Sequence, residues 1–293
     1  MKRWTALTSL LGLLAMLFQP GATSAQEMHI SNQLGDRRDT QSFDPWGEPQ
    51  GRWPDLLVSE IGQEQSFYFW SREDHRSLLP EASNSRPIKI WVGGDSLAGG
   101  PAAGLRELAK QDSRWIVVED VRKSTGVVSD WYFDWDSHLH ESVADGPYEV
   151  IVLSMGGNDW QGFRRGPKEK GSAEWILEYG DRVSQMSLLL DRPGRLVIWV
   201  GIPHFRLPFM VPLPGTVNPI TRQIFEQGER SDWIDAAEIV SPDGFWVKTI
   251  EDDSGNEITV RTDDGTHYQF DGARLIASAV MNAIEGRSHL GLR

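Results

Sequence analysis

Three short blocks of residues contain the side chains needed for acyl transfer. Gly94-Asp95-Ser96 follows an apolar run at residues 88–92, and Gly156-Gly157-Asn158-Asp159 follows a second run at 150–153. Asp264-Gly265-Thr266-His267 comes much later in the chain. In this order the blocks supply a serine nucleophile, an amide that could stabilise an oxyanion, a general base and a carboxylate to orient that base. Together they predict reaction through a covalent serine ester.

Each block has a simpler interpretation when it is taken alone. Ser96 could be a helix N-cap, and Asn158 could support a turn after two glycines. His267 and Asp264 could form a surface pair, and Asp263 competes with Asp264 as the histidine's partner. The combination of blocks favours the chemical interpretation. The remaining acids, Asp95 and Asp159, are expected to brace their loops rather than to react.

The elements that must position these blocks alternate in type. Short apolar runs predict strands at residues 88–92, 115–119, 150–153 and 196–200. Helical spacing predicts helices at residues 102–110, 135–143, 173–190, 218–227 and 270–284. Unbroken apolar strands alternating with helices indicate an α/β fold with a parallel sheet covered on both faces. Ligands bind such sheets at the carboxyl ends of the strands, where the Ser96 and Asn158 blocks lie.

Residues 245–261 interrupt this alternation. Asp253-Ser254-Gly255-Asn256 is a turn between two strand-like runs, which predicts a β-hairpin. The hairpin could form one wall of the site or could be solvated without a role there.

The blocks resemble the motifs of the GDSL/SGNH hydrolase superfamily over residues 86–287. That family carries Gly-Asp-Ser, an isolated Gly, Gly-x-Asn-Asp and Asp-x-x-His, and the isolated glycine corresponds by position to Gly126. The resemblance implies a three-layer α/β/α fold with a flavodoxin-like parallel sheet. It selects Asp264 over Asp263 as the third triad member. It also implies an oxyanion hole formed by the backbone N–H groups of Ser96 and Gly126 with the Asn158 amide.

Aromatic residues and one further histidine are candidate substrate contacts. Trp131, Trp135 and Trp160 flank the Gly126 and Asn158 blocks, and the chain has 13 tryptophans. Exposed indoles beside a cleft can stack on sugar rings, although core packing is the more common role of a tryptophan. His204 follows the predicted strand at 196–200 and is expected to contact substrate rather than to act as a second base. At Gly126 a side chain could block the approach of substrate to the backbone, although an ordinary turn would also use a glycine.

The N-terminal residues have the pattern of an export signal. Lys2 and Arg3 precede an apolar stretch at residues 7–18 that is short for a membrane span, and small residues then predict cleavage between Ala25 and Gln26. An uncleaved anchor is the alternative. We therefore expect a signal peptide at 1–25, a polar leader at 26–85 that is partly disordered or wraps the domain, and a catalytic domain at 86–293. The expected location is periplasmic or secreted, and no membrane span is expected in the mature chain.

Composition restricts the cofactors and partners. The chain has no cysteine and no close pairing of its seven histidines, so neither a disulfide nor a metal site is predicted, and no cofactor is expected. Its formal net charge is −13, and loss of residues 1–25 would remove two cations and no acid. Such an acidic chain argues against nucleic acid as a partner. It is compatible with a small acyl ester or an acylated glycan.

The sequence thus predicts an exported serine ester hydrolase that acts on short acyl esters, O-acetyl groups on a cell-envelope or extracellular glycan being the favoured class. One alternative is a glycan O-acyltransferase that uses the same residues with a sugar hydroxyl as acceptor. A lipid esterase or thioesterase is another. A non-catalytic glycan-binding module is disfavoured, because all four chemical side chains are present.

Overall fold

A computed structural model of the protein describes residues 79–287. Five parallel strands form one sheet in the order β2-β1-β3-β4-β5. The strands are β1 (Ile88–Gly94), β2 (Trp115–Val121), β3 (Val150–Ser154), β4 (Leu196–Val200) and β5 (Ser231–Ile234). This is the flavodoxin-like order of doubly wound sheets. The predicted fold class is confirmed, while the signal peptide and most of the leader lie outside the described residues.

Helices cover both faces of the sheet. They are α1 (Gly99–Ala109), α2 (Trp135–Ser142), α3 (Ala173–Leu190), α4 (Leu213–Gln227), α5 (Ala236–Val240) and α6 (Phe270–Arg287). On β3, Ile151 and Leu153 join a core cluster with α2, α3 and α4, whereas Val150 and Val152 join a second cluster with α1, α5 and α6. Because successive side chains of a strand point to opposite faces, burial on both sides explains the unbroken apolar runs of β3 and β4.

The observed elements extend or add to the predicted ones. Helix α4 begins at Leu213 rather than at residue 218, and it contains Pro214 in its first turn and Pro219 inside. Proline is tolerated at the start of a helix but favours a loop interpretation in sequence. Strand β5 and helix α5 were not predicted, because each is short and only part of β5 is buried.

The predicted hairpin is present, with shorter strands than expected. β6 (Thr249–Glu251) and β7 (Glu257–Thr259) pair in antiparallel fashion. The Asp252 carboxylate accepts hydrogen bonds from the backbone N–H groups of Ser254 and Asn256 and so closes the turn. Ile250 and Ile258 pack against the core cluster that contains α6. The hairpin is thus docked on a helix layer, directly before the segment that carries Asp264 and His267.

The carboxyl ends of β1 and β3 approach each other very closely. Gly94, the last residue of β1, has a φ of +145°, and a Cβ at this position would lie 1.9 Å from the carbonyl oxygen of Ser154. Only glycine fits that backbone and that gap. The close approach brings the Ser96 turn beside the loop after β3. Before β1, Leu79 and Ala82 are buried in the same core cluster as Ile88.

Candidate active site

Ser96 lies in the tight turn that joins β1 to α1. A 3-10 turn spans Ser96–Ala98, and the carboxylate of Asp95 caps it by accepting a hydrogen bond of 2.8 Å from the N–H of Leu97. Leu97 and Ala98 are buried, whereas Ser96 is half-buried. The turn therefore anchors its apolar residues in the core and leaves the Ser96 hydroxyl at the carboxyl edge of the sheet.

The structure brings the three predicted triad residues into one hydrogen-bonded row. His267 Nε2 lies 2.8 Å from Ser96 Oγ, and His267 Nδ1 lies 2.7 Å from Asp264 Oδ2. Ser96 and His267 are 171 residues apart in sequence, so the fold alone joins them. When Asp264 accepts from Nδ1–H, the lone pair of Nε2 faces the serine hydroxyl, which is the arrangement that general-base activation needs.

Asp264 is held by its own turn. Its Oδ1 accepts from Thr262 Oγ1 at 2.6 Å and from the N–H groups of Thr266 at 2.7 Å and His267 at 3.0 Å. Partial burial raises the pKa of Asp264, but the hydrogen bonds from Thr262, His267 and Thr266 outweigh it and hold the pKa well below its usual range. The neighbouring Asp263 instead pairs with Lys248 at 2.6 Å. His267 thus has Asp264 as its carboxylate partner.

Arg261 is a site residue that the sequence analysis did not identify. Its guanidinium is fully buried and donates to the carbonyl oxygens of His204 at 2.7 Å, Thr266 at 2.8 Å and His267 at 3.3 Å. It thereby ties the loop after β4 to the turn that carries the imidazole. Its partners are backbone carbonyls, which leave no pattern in the sequence. Burial lowers the pKa of Arg261, although an arginine stays charged at neutral pH.

Asn158 lies beside the Ser96 turn with its amide oriented by backbone. Its Nδ2 donates to the carbonyl oxygen of Thr125 at 2.9 Å and lies 3.5 Å from Asp95 Oδ2. The second contact is long and therefore weak, so a substrate oxygen could replace Asp95 as the acceptor of that N–H. Thr125 is itself fixed by the buried Trp135, whose indole N–H donates to its hydroxyl at 3.0 Å. Trp135 is only 2% exposed, so it belongs to the core and is not available to stack on substrate, unlike the other two flanking tryptophans.

A carboxylate packs directly against Gly126. A Cβ at Gly126 would lie 2.2 Å from Asp159 Oδ1. Asp159 accepts from the N–H groups of Val127 at 3.1 Å and Val128 at 3.0 Å, and from the Tyr179 hydroxyl at 3.1 Å. The close approach of Asp159 alone requires a glycine here, and the approach of substrate to the Gly126 backbone stays a prediction.

Two buried carboxylates connect the strand ends. Asp95 Oδ2 accepts from the N–H groups of Gly156 at 3.0 Å and Gly157 at 2.9 Å, linking β1 to β3, and Asp159 links β3 to the loop after β2. Burial raises the pKa of Asp95 to about 7 and that of Asp159 to about 6, against the opposing effect of their backbone donors. These contacts match the bracing role expected for both residues.

The candidate substrate contacts lie in loops at the carboxyl edge. Trp131 is 55% exposed and Trp160 is 44% exposed. His204 is half-buried, and burial together with the nearby charge of Arg261 lowers its pKa. Its backbone carbonyl, rather than its ring, makes the contact with Arg261. Their roles in binding stay predictions.

A groove lies at the other end of the sheet, away from the Ser96 turn. This groove of about 540 Å³ is lined by residues that precede β1, β3 and β4, among them Arg86, Tyr148 and Arg192. Its lining contains no serine, threonine, lysine or histidine. We therefore place the candidate active site at the Ser96 edge. Within residues 79–287 no group of three or more His, Asp or Glu is arranged to hold a metal ion, and no helix is long and apolar enough to cross a membrane.

Known proteins resemble this chain in family and fold. The family described as "Protein of unknown function (DUF459)" matches residues 89–283. No curated protein matches the chain in sequence.

Solved structures of low sequence identity are similar to this chain. An alpha/beta hydrolase enzyme from the metagenome of Lake Arreo, Spain, has a TM-score of 0.51 at 15% identity, covering 69% of this chain and 97% of its own. A lipase/acylhydrolase from Enterococcus faecalis has a TM-score of 0.49 at 16% identity, covering 68% and 96%. A carbohydrate acetylesterase family member from Sinorhizobium meliloti has a TM-score of 0.46 at 14% identity, covering 70% and 100%. The chain belongs to the DUF459 family, and it shares a parallel α/β fold with the Lake Arreo enzyme.

Proposed function

We propose that this protein is an exported serine esterase that removes short acyl groups, O-acetyl above all, from a cell-envelope or extracellular glycan. The row of hydrogen bonds from Ser96 through His267 to Asp264 is the observation that carries this proposal. The simpler interpretations do not account for this row, because a surface pair of His267 and Asp264 would not require a serine and an N-cap serine would not require a histidine. The three groups together fit activation of a hydroxyl for attack on an ester carbonyl.

Acylation begins with proton transfer within this row. As Ser96 Oγ forms a bond to the ester carbonyl carbon, its proton passes to His267 Nε2, and the carbonyl π electrons move to the oxygen. The tetrahedral intermediate collapses when the C–O bond to the leaving alcohol breaks and His267 gives its proton to that alcohol oxygen. Asp264 stays ionised throughout and stabilises the imidazolium.

The developing oxyanion needs donors beside Ser96. The proposed set is the backbone N–H groups of Ser96 and Gly126 together with the Asn158 N–H that makes only the weak contact with Asp95. The contacts of Asp95 with Gly156 and Gly157, and of Asp159 with Val127 and Val128, hold the three strand ends in register. Preorganised donors cost no rearrangement during the reaction, which is why such bracing favours catalysis.

Deacylation repeats the steps with water as the nucleophile. His267 accepts a proton from water while the water oxygen forms a bond to the acyl carbon. The bond from that carbon to Ser96 Oγ then breaks, and His267 returns the proton to Ser96 Oγ. His267 and Asp264 side chains are 41% and 50% exposed, so water can reach the acyl-enzyme. The same exposure would admit a sugar hydroxyl, so the acceptor assay below decides between hydrolysis and transfer.

The proposal is tested by acetate release from acetylated glycan with and without an acceptor sugar. We expect release that is independent of acceptor and absent in Ser96→Ala. Acetyl groups that appear on the acceptor instead would establish an acyltransferase. Turnover confined to long-chain lipid esters or thioesters would establish a lipid esterase or thioesterase.

Export is tested separately on the native gene product. N-terminal sequencing of the protein from the periplasm or culture medium should find Gln26 as the first residue. Recovery of the full-length chain in the membrane fraction would instead indicate an uncleaved anchor.

A further inference from the structure

A cationic loop follows β3 in this acidic protein. Four cations, Arg164, Arg165, Lys168 and Lys170, accompany one acid, Glu169, in a chain with 42 acidic and 29 basic residues. Arg164, Arg165 and Lys168 are exposed, and Lys170 is half-exposed. We call this segment, residues 161–171, the cationic loop.

The cations of this loop differ from most others in the described part of the chain by having no carboxylate partner. Elsewhere on the surface, Arg106 pairs with Glu119, Lys110 with Glu107 and Arg222 with Glu226. Within residues 79–287, none of the four loop cations lies within ion-pair distance of an Asp or Glu. Lys168 is held by backbone carbonyls of the loop itself. Three positive charges are therefore free to meet an anion.

Exposed aromatic rings accompany these charges. The guanidinium of Arg164 lies over the ring of Trp131 at 5.1 Å from its centroid. Trp160 and Phe209 form an edge-on pair with centroids 5.2 Å apart, and Phe209 is 51% exposed. Aromatic faces that remain accessible to solvent suit the apolar faces of sugar rings.

Direct contacts join the cationic loop to the candidate active site. The loop begins three residues after Asn158, and Gln161 Nε2 donates to Ser129 Oγ at 3.0 Å, connecting it to the segment after Gly126. Trp175 fixes the backbone of the loop by donating to the carbonyl of Gln161 at 3.0 Å. The charges and rings therefore lie on loops that are anchored beside the Asn158 amide.

We propose that the cationic loop and its aromatic neighbours select an acidic glycan, one whose sugars carry carboxylates close to the scissile ester. The inference rests on the proposed esterase function and names its substrate class. The rings would stack on sugar faces, while Arg164, Arg165 and Lys170 would bind the carboxylates. A net charge of −13 disfavours a broad anionic membrane surface, because the rest of the protein would be repelled. A flexible glycan chain can contact the cationic loop alone and so avoids that repulsion.

The test compares two substrates of equal length and acetylation, O-acetylated oligogalacturonate and neutral O-acetylated xylo-oligosaccharide. We expect wild-type kcat/KM to favour the acidic substrate, and roughly 1 M salt, where the Debye length is about 3 Å, to reduce that preference. The triple variant Arg164→Gln/Arg165→Gln/Lys170→Gln should lower the acidic-to-neutral ratio about tenfold, since each exposed charge contributes modestly. The control Arg106→Gln/Lys110→Gln/Arg222→Gln removes as much charge elsewhere and should leave the ratio unchanged.

Each result distinguishes this inference from the proposed function. An equal preference for both substrates, or an equal effect of the two triple variants, would overturn the inference while acetate release upholds the esterase. If no ester were hydrolysed, the inference would be tested by calorimetry of Ser96→Ala with unacetylated oligogalacturonate. Binding that is lost when the triple loop variant is added to Ser96→Ala would support the inference. Absence of binding to oligogalacturonate would overturn the inference. The same holds if the loop instead mediates binding to phosphatidylglycerol vesicles.

Discussion

Asp264→Asn tests the orientation of the base, and its neighbour supplies a matched control. An asparagine at 264 can keep its Oδ1 contacts with Thr262, Thr266 and the His267 N–H, so the turn should hold its shape. Its amide would then face His267 Nδ1, where Asp264 Oδ2 now lies at 2.7 Å. An N–H donor there forces the proton of the ring onto Nε2, which removes the lone pair that Ser96 needs.

The magnitude follows from the exposure of the pair. In a buried triad this change costs about 10⁴ in kcat. The side chains of Asp264 and His267 are half-exposed, so water can partly replace the lost partner and the ring can reorient. We expect kcat to fall about a hundred- to a thousandfold, equivalent to roughly 3 to 4 kcal/mol of transition-state stabilisation.

Steady-state kinetics on a small acetyl ester provide the assay. Asp263→Asn serves as the control, because Asp263 is 80% exposed and pairs with Lys248 rather than with His267. That variant should retain turnover within a few-fold of wild type. A severe loss in Asp263→Asn with a mild one in Asp264→Asn would refute the assignment of the carboxylate.

Three further predictions concern the donors and braces around the triad. Asn158→Ala should lower kcat roughly a hundred- to a thousandfold with little change in KM, since the amide is proposed to bind charge that develops in the transition state; a higher KM at unchanged kcat would contradict this. Arg261→Lys should lower kcat and the melting temperature, because one ammonium group cannot match the guanidinium fork that donates to three carbonyls, and each lost donor costs about 1 to 3 kcal/mol; wild-type values of both would contradict it. The raised pKa values of Asp95 and Asp159 mean that the native state holds protons that the unfolded chain releases near pH ~4. Stability should therefore fall as pH rises from about 4 to 7, and denaturation midpoints should show a smaller fall in Asp159→Asn.

Much of the fold was predictable because its signals are local and strong. The runs that became β1, β3 and β4 are apolar along their length, and a sheet buried on both faces requires that pattern. Their carboxyl ends carry the Ser96 and Asn158 blocks, so the meeting of these blocks followed from the class of sheet. Strand β5 lacked such a run, with half-buried residues over three of its four positions.

The supporting contacts of the site were less predictable because they join residues far apart in sequence. Gly126 is a glycine on account of Asp159, 33 positions later, and no local pattern records that approach. Arg261 binds the carbonyl of His204, 57 residues away. Backbone carbonyls carry no sequence signature, so an arginine that binds them looks like any other surface arginine until the fold is known.

Labelling and replacement of Ser96 test the central claim most directly. A serine-directed phosphonate should modify the wild-type protein at Ser96 alone, as located by peptide mass mapping. Ser96→Ala should lose the label and several thousand-fold or more of the ester turnover, with an unchanged circular dichroism spectrum, because one half-buried hydroxyl is removed. Labelling at another residue, or turnover in Ser96→Ala close to that of wild type, would contradict the account.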